Sequence, residues 1–162
     1  MISVTKTASY ICQRYKDVYG LQIDEMKLHK LLYFTQRECL VQIGAPMFPE
    51  VFHAWKYGPV IPQIRQLYKD DLLHESMTDE EARKYHPIID EVFRRLAGSS
   101  SLTLVAISHS ELSWKRARAG FGKWDSSDVP MKLDDIKEDA LNYRIRQFML
   151  KKLNEKNHLH LS

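Results

Sequence analysis

The stretch DEMKLHKLLYFTQRECLVQIG, residues 24–44, constrains the fold most, because it predicts a helix that is apolar over most of its circumference. Asp24 is a good N-cap residue, and Gly44 is typical of the position just beyond a helix. Leu28, Leu32 and Cys39 lie on one apolar stripe, which neighbouring aromatic and aliphatic side chains widen. Helices of this kind are buried within their domain. We therefore predict that this segment is the core helix.

Helical periodicity continues along most of the remaining chain. The first predicted segments are a helix over 4–19 that ends at Gly20, a helix after Gly58 with Pro62 in its first turn, and a polar helical turn over 78–86 with a capping box at Thr78 and Glu81. They are followed by a helix over 87–98, a short helix from Ser100 or Ser101, another over 113–120, and a last helix with a capping box at Asp135 and Glu138. The chain of 162 residues has the length of one domain. We expect a mainly α, compact single-domain bundle of about six or seven helices over residues 1–162, with a short two-stranded β element near residues 51–56.

The last predicted helix carries many apolar residues, and helical spacing predicts that they face the core. These residues are Ile136, Ala140, Tyr143, Ile145, Phe148, Met149 and Leu153. The polar tail that follows, residues 157–162, is expected to fray.

The composition excludes several classes of protein. A net charge of +3 and a pI of about 8.8 are too weak to indicate nucleic-acid binding on their own. The two cysteines, Cys12 and Cys39, form no CxxC motif and indicate a reducing interior. No apolar run is long enough for a membrane span, and the N-terminus lacks the pattern of a signal peptide. We therefore expect a cytoplasmic protein with no membrane partner.

The sequence gives little support to catalytic or metal chemistry. The seven histidines include no HExxH motif, and no phosphate loop is present, so we predict no metal and no cofactor. The stretch SHSEL brings together Ser108, His109 and Glu111, the residue types of a hydrolase, but catalytic triads assemble from distant parts of a chain. We expect His109 to be a helix-end residue, no catalytic site and no enzyme, with a hydrolase using His109 and Glu111 as the alternative.

The stretch HAWKYGPVIP, residues 53–62, is unusually rich in aromatic, glycine and proline residues. Gly58 lets the backbone turn, and the ring of Pro59 fixes the φ angle of the position directly after Gly58. The segment therefore predicts a rigid lead-in to a helix. Trp55 is expected to be anchored inside, whereas Tyr57 could face either the core or a partner.

Three stretches together resemble the Panacea antitoxin domain family, which includes SocA-like and phage-associated proteins. They are KLHKLLYFTQ at 27–36, GAPMFPEVFHAWKYGPVIPQI at 44–64, and SHSELSWKRARAG at 108–120, ahead of IKEDALNY at 136–143. The resemblance covers about residues 5–148. Its most specific part is the Ala-Trp, one residue, Tyr-Gly-Pro-Val pattern. Two departures are Ser108 before His109, where the family often has threonine, and Ser113 before Trp114, where it often has proline.

The resemblance implies a bacterial antitoxin of a type II-like toxin–antitoxin system, which neutralises its cognate toxin by direct protein contact. Two alternatives remain open: a proteolytic adaptor that delivers a toxin to the ClpXP protease, and a phage-associated protein that binds nucleic acid through the basic helices. A homodimer is a further option. The candidate partner-binding residues are Tyr57, Trp114, Arg116 and Arg118, and the candidate structural residues of the motifs are Trp55, Gly58, Pro59 and His109.

Overall fold

The computed structural model describes residues 1–161 and contains, over that range, seven helices and one two-stranded antiparallel sheet. The elements are α1 (Val4–Tyr19), α2 (Glu25–Gln42), β1 (His53–Trp55), β2 (Gly58–Val60), α3 (Pro62–Lys69), α4 (Asp79–Leu96), α5 (Ser101–His109), α6 (Leu112–Ala117) and α7 (Leu133–His160). The prediction of a compact, mainly α fold with a short β element is confirmed. None of these helices is both long and apolar enough to cross a membrane.

The centre of the fold is α2. Every residue from Lys27 to Leu40 is buried, and α1, α4, α5, α7 and the sheet all pack against this helix. The side chain of Asp24 caps its first turn by accepting a hydrogen bond from the backbone N–H of Lys27 at 2.8 Å. The prediction of a core helix is therefore confirmed, together with its N-cap.

The helix α4 crosses a proline at which the sequence predicts a break. The predicted capping box of Thr78 and Glu81 is present, but α4 continues through Pro87 to Leu96, so the prediction of two separate segments is wrong. Proline in a helix interior removes a hydrogen bond and typically costs about 3 kcal/mol. Pro87 lies on the exposed side of α4, while Tyr85 and Ile88 are buried in the core. Core packing before and after the proline therefore holds the helix continuous.

The two strands form a hairpin whose turn presents Tyr57. Ala54 pairs with Pro59 and Trp55 pairs with Gly58. The backbone of the 127–131 segment lies along β1, because Ala54 donates its backbone N–H to Val129 O at 2.9 Å. The β element is thus present but extends to Val60, further than residues 51–56.

The last helix differs most from its prediction. It begins at Leu133 with Lys132 at the N-cap position and no side-chain cap, so the predicted capping box at Asp135 and Glu138 does not form. Asp135 lies inside the first turn, where it accepts a hydrogen bond from Arg116 at 3.0 Å. The apolar residues Ile145, Phe148, Met149 and Leu153 are exposed, and only Ile136 and Ala140 of the predicted core set are fully buried. The helix continues to His160, within the tail 157–162 for which the sequence predicts fraying; Ser162 lies outside the described residues.

Removing residues 148–162 should change the melting temperature by less than about 3 °C, a shift that corresponds to about 1 kcal/mol in a chain of this size. The reason is that residues 148–161 are exposed throughout, so the truncation uncovers no core. Thermal unfolding of the full chain and of the chain ending at Gln147 would measure the shift. A loss of cooperative unfolding in the shorter chain would contradict this expectation.

Candidate partner-binding site

The three sequence stretches that carry the family resemblance meet around Gly58. Gly58 has a φ of +104°, and a Cβ at this position would lie 2.5 Å from Lys30 Cε and 2.5 Å from Ser108 Oγ. Lys30 belongs to α2 and Ser108 to the end of α5, so each of the three contacting residues comes from a different stretch. Only glycine fits this close approach, which brings the hairpin against both helices.

Lys30 is fully buried, which is rare for a lysine. Its Nζ donates a hydrogen bond to the backbone oxygen of Pro59 at 3.1 Å. Burial lowers the pKa of Lys30 to about 7, while Glu25 acts in the opposite direction. The amine therefore changes its charge close to physiological pH, and it ties α2 to β2.

Trp55 is half-buried and lies outside the hydrophobic core, which differs from the expectation that it is anchored inside. Its Nε1–H donates to Asp128 Oδ1 at 2.8 Å. That hydrogen bond lowers the pKa of the exposed Asp128 carboxyl, and the nearby His53 acts in the same direction with a smaller effect. The guanidinium of Arg65 lies 5.4 Å from the indole ring. Trp55 thus forms part of a polar surface cluster.

Trp114 and Arg118 brace the hairpin from within. Trp114 is buried, stacks on His109 with ring centroids 3.9 Å apart, and donates its Nε1–H to Trp55 O at 2.9 Å. Arg118 is also buried and donates to the backbone oxygens of Ala54 at 3.1 Å and Asp125 at 2.6 Å. Both candidate partner-binding residues are therefore buried beneath the surface, and both line a cavity against α5 and α6.

Arg116 is exposed, but its guanidinium is already engaged. It forms ion pairs with Asp135 and Glu138 of α7. Exposed pairs of this type contribute little to stability. The two ion pairs link α6 to α7. A partner that binds the Arg116 guanidinium would therefore have to compete with two carboxylates.

Tyr57 stands at the tip of the hairpin and belongs to an exposed aromatic patch, which we define as Tyr57, Phe121 and Trp124. Their exposed fractions are 45%, 45% and 65%. The rings of Tyr57 and Trp124 lie 6.5 Å apart. Sequence reasoning selected Tyr57 but missed Phe121 and Trp124, although a tryptophan in a glycine-containing loop was a signal for an exposed anchor. Exposed aromatic side chains are enriched among the residues that dominate protein–protein binding.

Two cavities flank Tyr57. The first, of about 530 Å³, lies against α2 and is lined by residues that include His29, Lys30 and Trp55. The second, of about 640 Å³, lies against α5 and α6 and is lined by residues that include His109 and Trp124. The aromatic patch therefore projects between two concavities, a shape that suits insertion of side chains from a partner.

His109 and Glu111 do not converge on one site. His109 stacks on Trp114 beside the second cavity, and burial lowers its pKa. Glu111 instead lies in a buried network, where it accepts hydrogen bonds from Arg37 at 2.6 Å and from Tyr33 at 3.3 Å. The geometry therefore gives no acid–base pair to the hydrolase alternative. Residues 1–161 also contain no group of three or more His, Cys, Asp or Glu side chains arranged to hold a metal ion.

The fold and this site define a small, mainly helical domain with a braced hairpin and an exposed aromatic patch. Residues 28–115, more than half of the chain, match the family described as "Antitoxin SocA-like, Panacea domain", and the chain belongs to this family. The matched range includes Lys30, Gly58 and Ser108, the three residues that meet beneath the hairpin.

The chain is also similar to a curated protein, the Antitoxin SocA of Caulobacter vibrioides (strain NA1000 / CB15N). The two are 31% identical over 121 residues, which cover 65% of this chain and 60% of the relative. The chain thus matches about three fifths of the length of that antitoxin. No solved structure matches the chain.

Proposed function

We propose that the protein is the antitoxin of a type II-like toxin–antitoxin pair and that it neutralises its cognate toxin by binding to it through the aromatic patch. Membership of the antitoxin family supports the class of function. The observation that carries the choice of surface is the position of Tyr57, because the most specific motif of the family places this ring on the outside of the molecule.

The bracing beneath the patch supports a role in tight binding. The hairpin is fixed on its inner side by Gly58, Trp114 and Arg118, so Tyr57 is held at a rigid tip. Binding through a preformed surface loses less conformational freedom than binding through a flexible loop. Such a surface can occlude a toxin without any chemical step, and neutralisation would then depend on the stability of the complex.

Co-expression with the product of the neighbouring gene tests the proposal. We expect the wild-type protein to restore growth that the toxin arrests, and Tyr57→Ala with Trp124→Ala to lose this rescue. Loss of two central aromatic anchors costs about 2 kcal/mol or more each, which would weaken the complex at least 100-fold. The matched control is Val18→Ala, an equally exposed apolar residue that lines neither cavity.

The toxin level must be followed together with growth. Growth arrest that continues with the wild-type protein would overturn the antitoxin function. Full rescue by the double variant, with unchanged affinity in calorimetry, would overturn the assignment of the aromatic patch. A toxin that disappears faster when the wild-type protein is present would replace occlusion by delivery to a protease.

A further inference from the structure

We propose that the first cavity, between α2 and the hairpin, binds the carboxylate of a small molecule with a flat apolar body. This site shares Tyr57 with the aromatic patch, but the proposal does not depend on the proposed function.

The shape of the cavity suits a small organic ligand. Its volume of about 530 Å³ lies within the range of roughly 300–1,000 Å³ that is common for ligand pockets. Its apolar walls are formed by Met26, Trp55, Tyr57 and Val60. Two aromatic side chains in the lining favour a flat ligand, because aromatic surfaces stack on planar groups.

His29 contributes a hydrogen-bond donor that no other described residue satisfies. Its Nδ1 accepts the backbone N–H of Ile61 at 3.4 Å. Burial lowers the pKa of His29 to about 3, so the ring is neutral and its proton lies on Nε2. Within residues 1–161, that Nε2 is buried without a hydrogen-bond partner, in a residue with only 2% of its surface exposed. A buried donor of this kind is satisfied by an acceptor oxygen in the cavity.

Lys30 adds further donors beside His29. An ammonium group has three N–H donors, and among residues 1–161 Lys30 Nζ has one hydrogen bond, to Pro59 O. The adjacent positions 29 and 30 of α2 therefore both supply unused donors to the same cavity. A carboxylate can accept several hydrogen bonds at once, and its charge would favour the protonated form of Lys30.

The charged residues that line the cavity carry an excess of positive charge that one anion would balance. Three cationic residues line it, Lys30, Lys56 and Arg65, together with two acidic residues, Glu25 and Asp128. Asp128 already accepts from Trp55, and Glu25 Oε2 lies 3.4 Å from Arg65. One bound carboxylate would balance the remaining positive charge. A neutral amide would satisfy His29 but would leave Lys30 without a counter-ion.

The probe for this proposal is phenylacetate, with phenylacetamide as its neutral isostere, followed by chemical-shift changes in ¹H–¹⁵N spectra of the full chain. Phenylacetate should bind and shift the amides of α2 and the hairpin, and phenylacetamide should bind at least tenfold more weakly. The capped acidic dipeptide acetyl-Phe-Glu-amide serves as a third ligand. Equal binding of the neutral amide, or no shifts near the cavity, would overturn the proposal; tighter binding of the dipeptide would reassign the site to an acidic peptide.

The pH dependence of phenylacetate binding tests whether Lys30 is the cation that the carboxylate contacts. Phenylacetate stays ionised between pH 6 and pH 9, whereas Lys30 loses its proton as the pH rises through about 7. Binding should therefore weaken at least tenfold from pH 6 to pH 9. The titratable or charged groups around Lys30 are Glu25, His29, Lys56, Arg65, His109 and Asp128. Of these, His29 and His109 have ordinary pKa values within the tested range; burial lowers the pKa of His29 to about 3 and also lowers the pKa of His109.

Two variants complete the test. Lys30→Met, which keeps the apolar stem, should lose both the binding and its pH dependence. Arg65→Gln should weaken binding without abolishing the pH dependence, because Lys30 remains. Lys69→Gln removes the same charge from the exposed side of α3, outside the cavity, and should leave the affinity unchanged. Unchanged binding by folded Lys30→Met would overturn the role of Lys30 in the site.

Discussion

Replacing Arg37 with methionine should lower the free energy of unfolding by about 3–5 kcal/mol, the range found when one partner of a buried ion pair is removed. Arg37 and Glu111 form such a pair, at 2.6 Å, with side chains only 5% and 3% exposed. The guanidinium also lies between two rings, 4.9 Å from Phe34 and 4.1 Å from Tyr143. The variant would therefore leave a carboxylate buried without its counter-ion.

The loss should depend on pH in a defined direction. Burial raises the pKa of Glu111, and Arg37 acts against this effect. Without Arg37 the folded-state pKa of Glu111 rises further above its unfolded value. A carboxyl group with a raised folded pKa stabilises the fold at low pH and loses that contribution as the pH increases. The destabilisation caused by Arg37→Met should therefore be larger at pH 8 than at pH 5.

Urea denaturation at the two pH values measures both effects. Glu111→Gln combined with Arg37→Met should be less destabilised than the sum of the single variants, because no unpaired charge remains. Arg94→Met is the control, since Arg94 forms an exposed pair with Glu91 and its removal should cost far less stability than that of Arg37. Equal losses for Arg37→Met and Arg94→Met, or a loss that does not change with pH, would contradict the expected burial of the pair.

The parts of the fold that the sequence predicts well are those set by local signals. Asp24, Thr78 and Gly20 mark helix ends in the sequence, and the structure uses all three. The errors arise where distant contacts override a local preference. Pro87 is tolerated because the core holds both halves of α4, and Asp135 pairs with Arg116 instead of capping α7.

The apolar residues of α7 show a different limit of sequence reasoning. Helical spacing correctly predicts a long helix, but it cannot show where the body that the helix packs against comes to an end. Tyr143 is the last residue of α7 that is partly buried, and its ring packs against Arg37 and Arg95. Beyond it, Phe148 and Met149 have the pattern of core residues without a core beside them.

The sequence predicts which motifs form the candidate site, but it does not predict which way their side chains face. The sequence identifies Tyr57, Gly58 and Trp114 as special, but their roles depend on which side of the hairpin each occupies. Trp114 lies beneath it and Tyr57 on top. Arg118 holds the backbone of the loop that carries Phe121 and Trp124, and it also bonds to Ala54 O of the distant hairpin, which brings this loop beside Tyr57. No local pattern encodes that long-range contact.

Gly58→Ala should destabilise the protein by about 2–5 kcal/mol, since a positive φ costs an L-residue about 1–2 kcal/mol and overpacking adds about 1–3 kcal/mol. The overpacking follows from geometry, because the new methyl would lie 2.5 Å from both Lys30 Cε and Ser108 Oγ. The two terms can be separated by experiment. Gly20 has a φ of +71° and open space where a Cβ would stand, so Gly20→Ala reports the backbone term alone.

A second variant tests the close approach itself. Adding Ser108→Ala to Gly58→Ala removes one of the two clashing atoms and should recover part of the lost stability in thermal unfolding, although the hydrogen bond from Ser108 Oγ to Val105 O is then lost.

Gly58→Ala should also reduce toxin rescue more than its stability loss alone accounts for, because pushing β2 away from α2 and α5 moves Tyr57. A Gly58→Ala protein as stable as Gly20→Ala would mean that the hairpin does not need this contact, and the rigid support proposed for the aromatic patch would then fail with it.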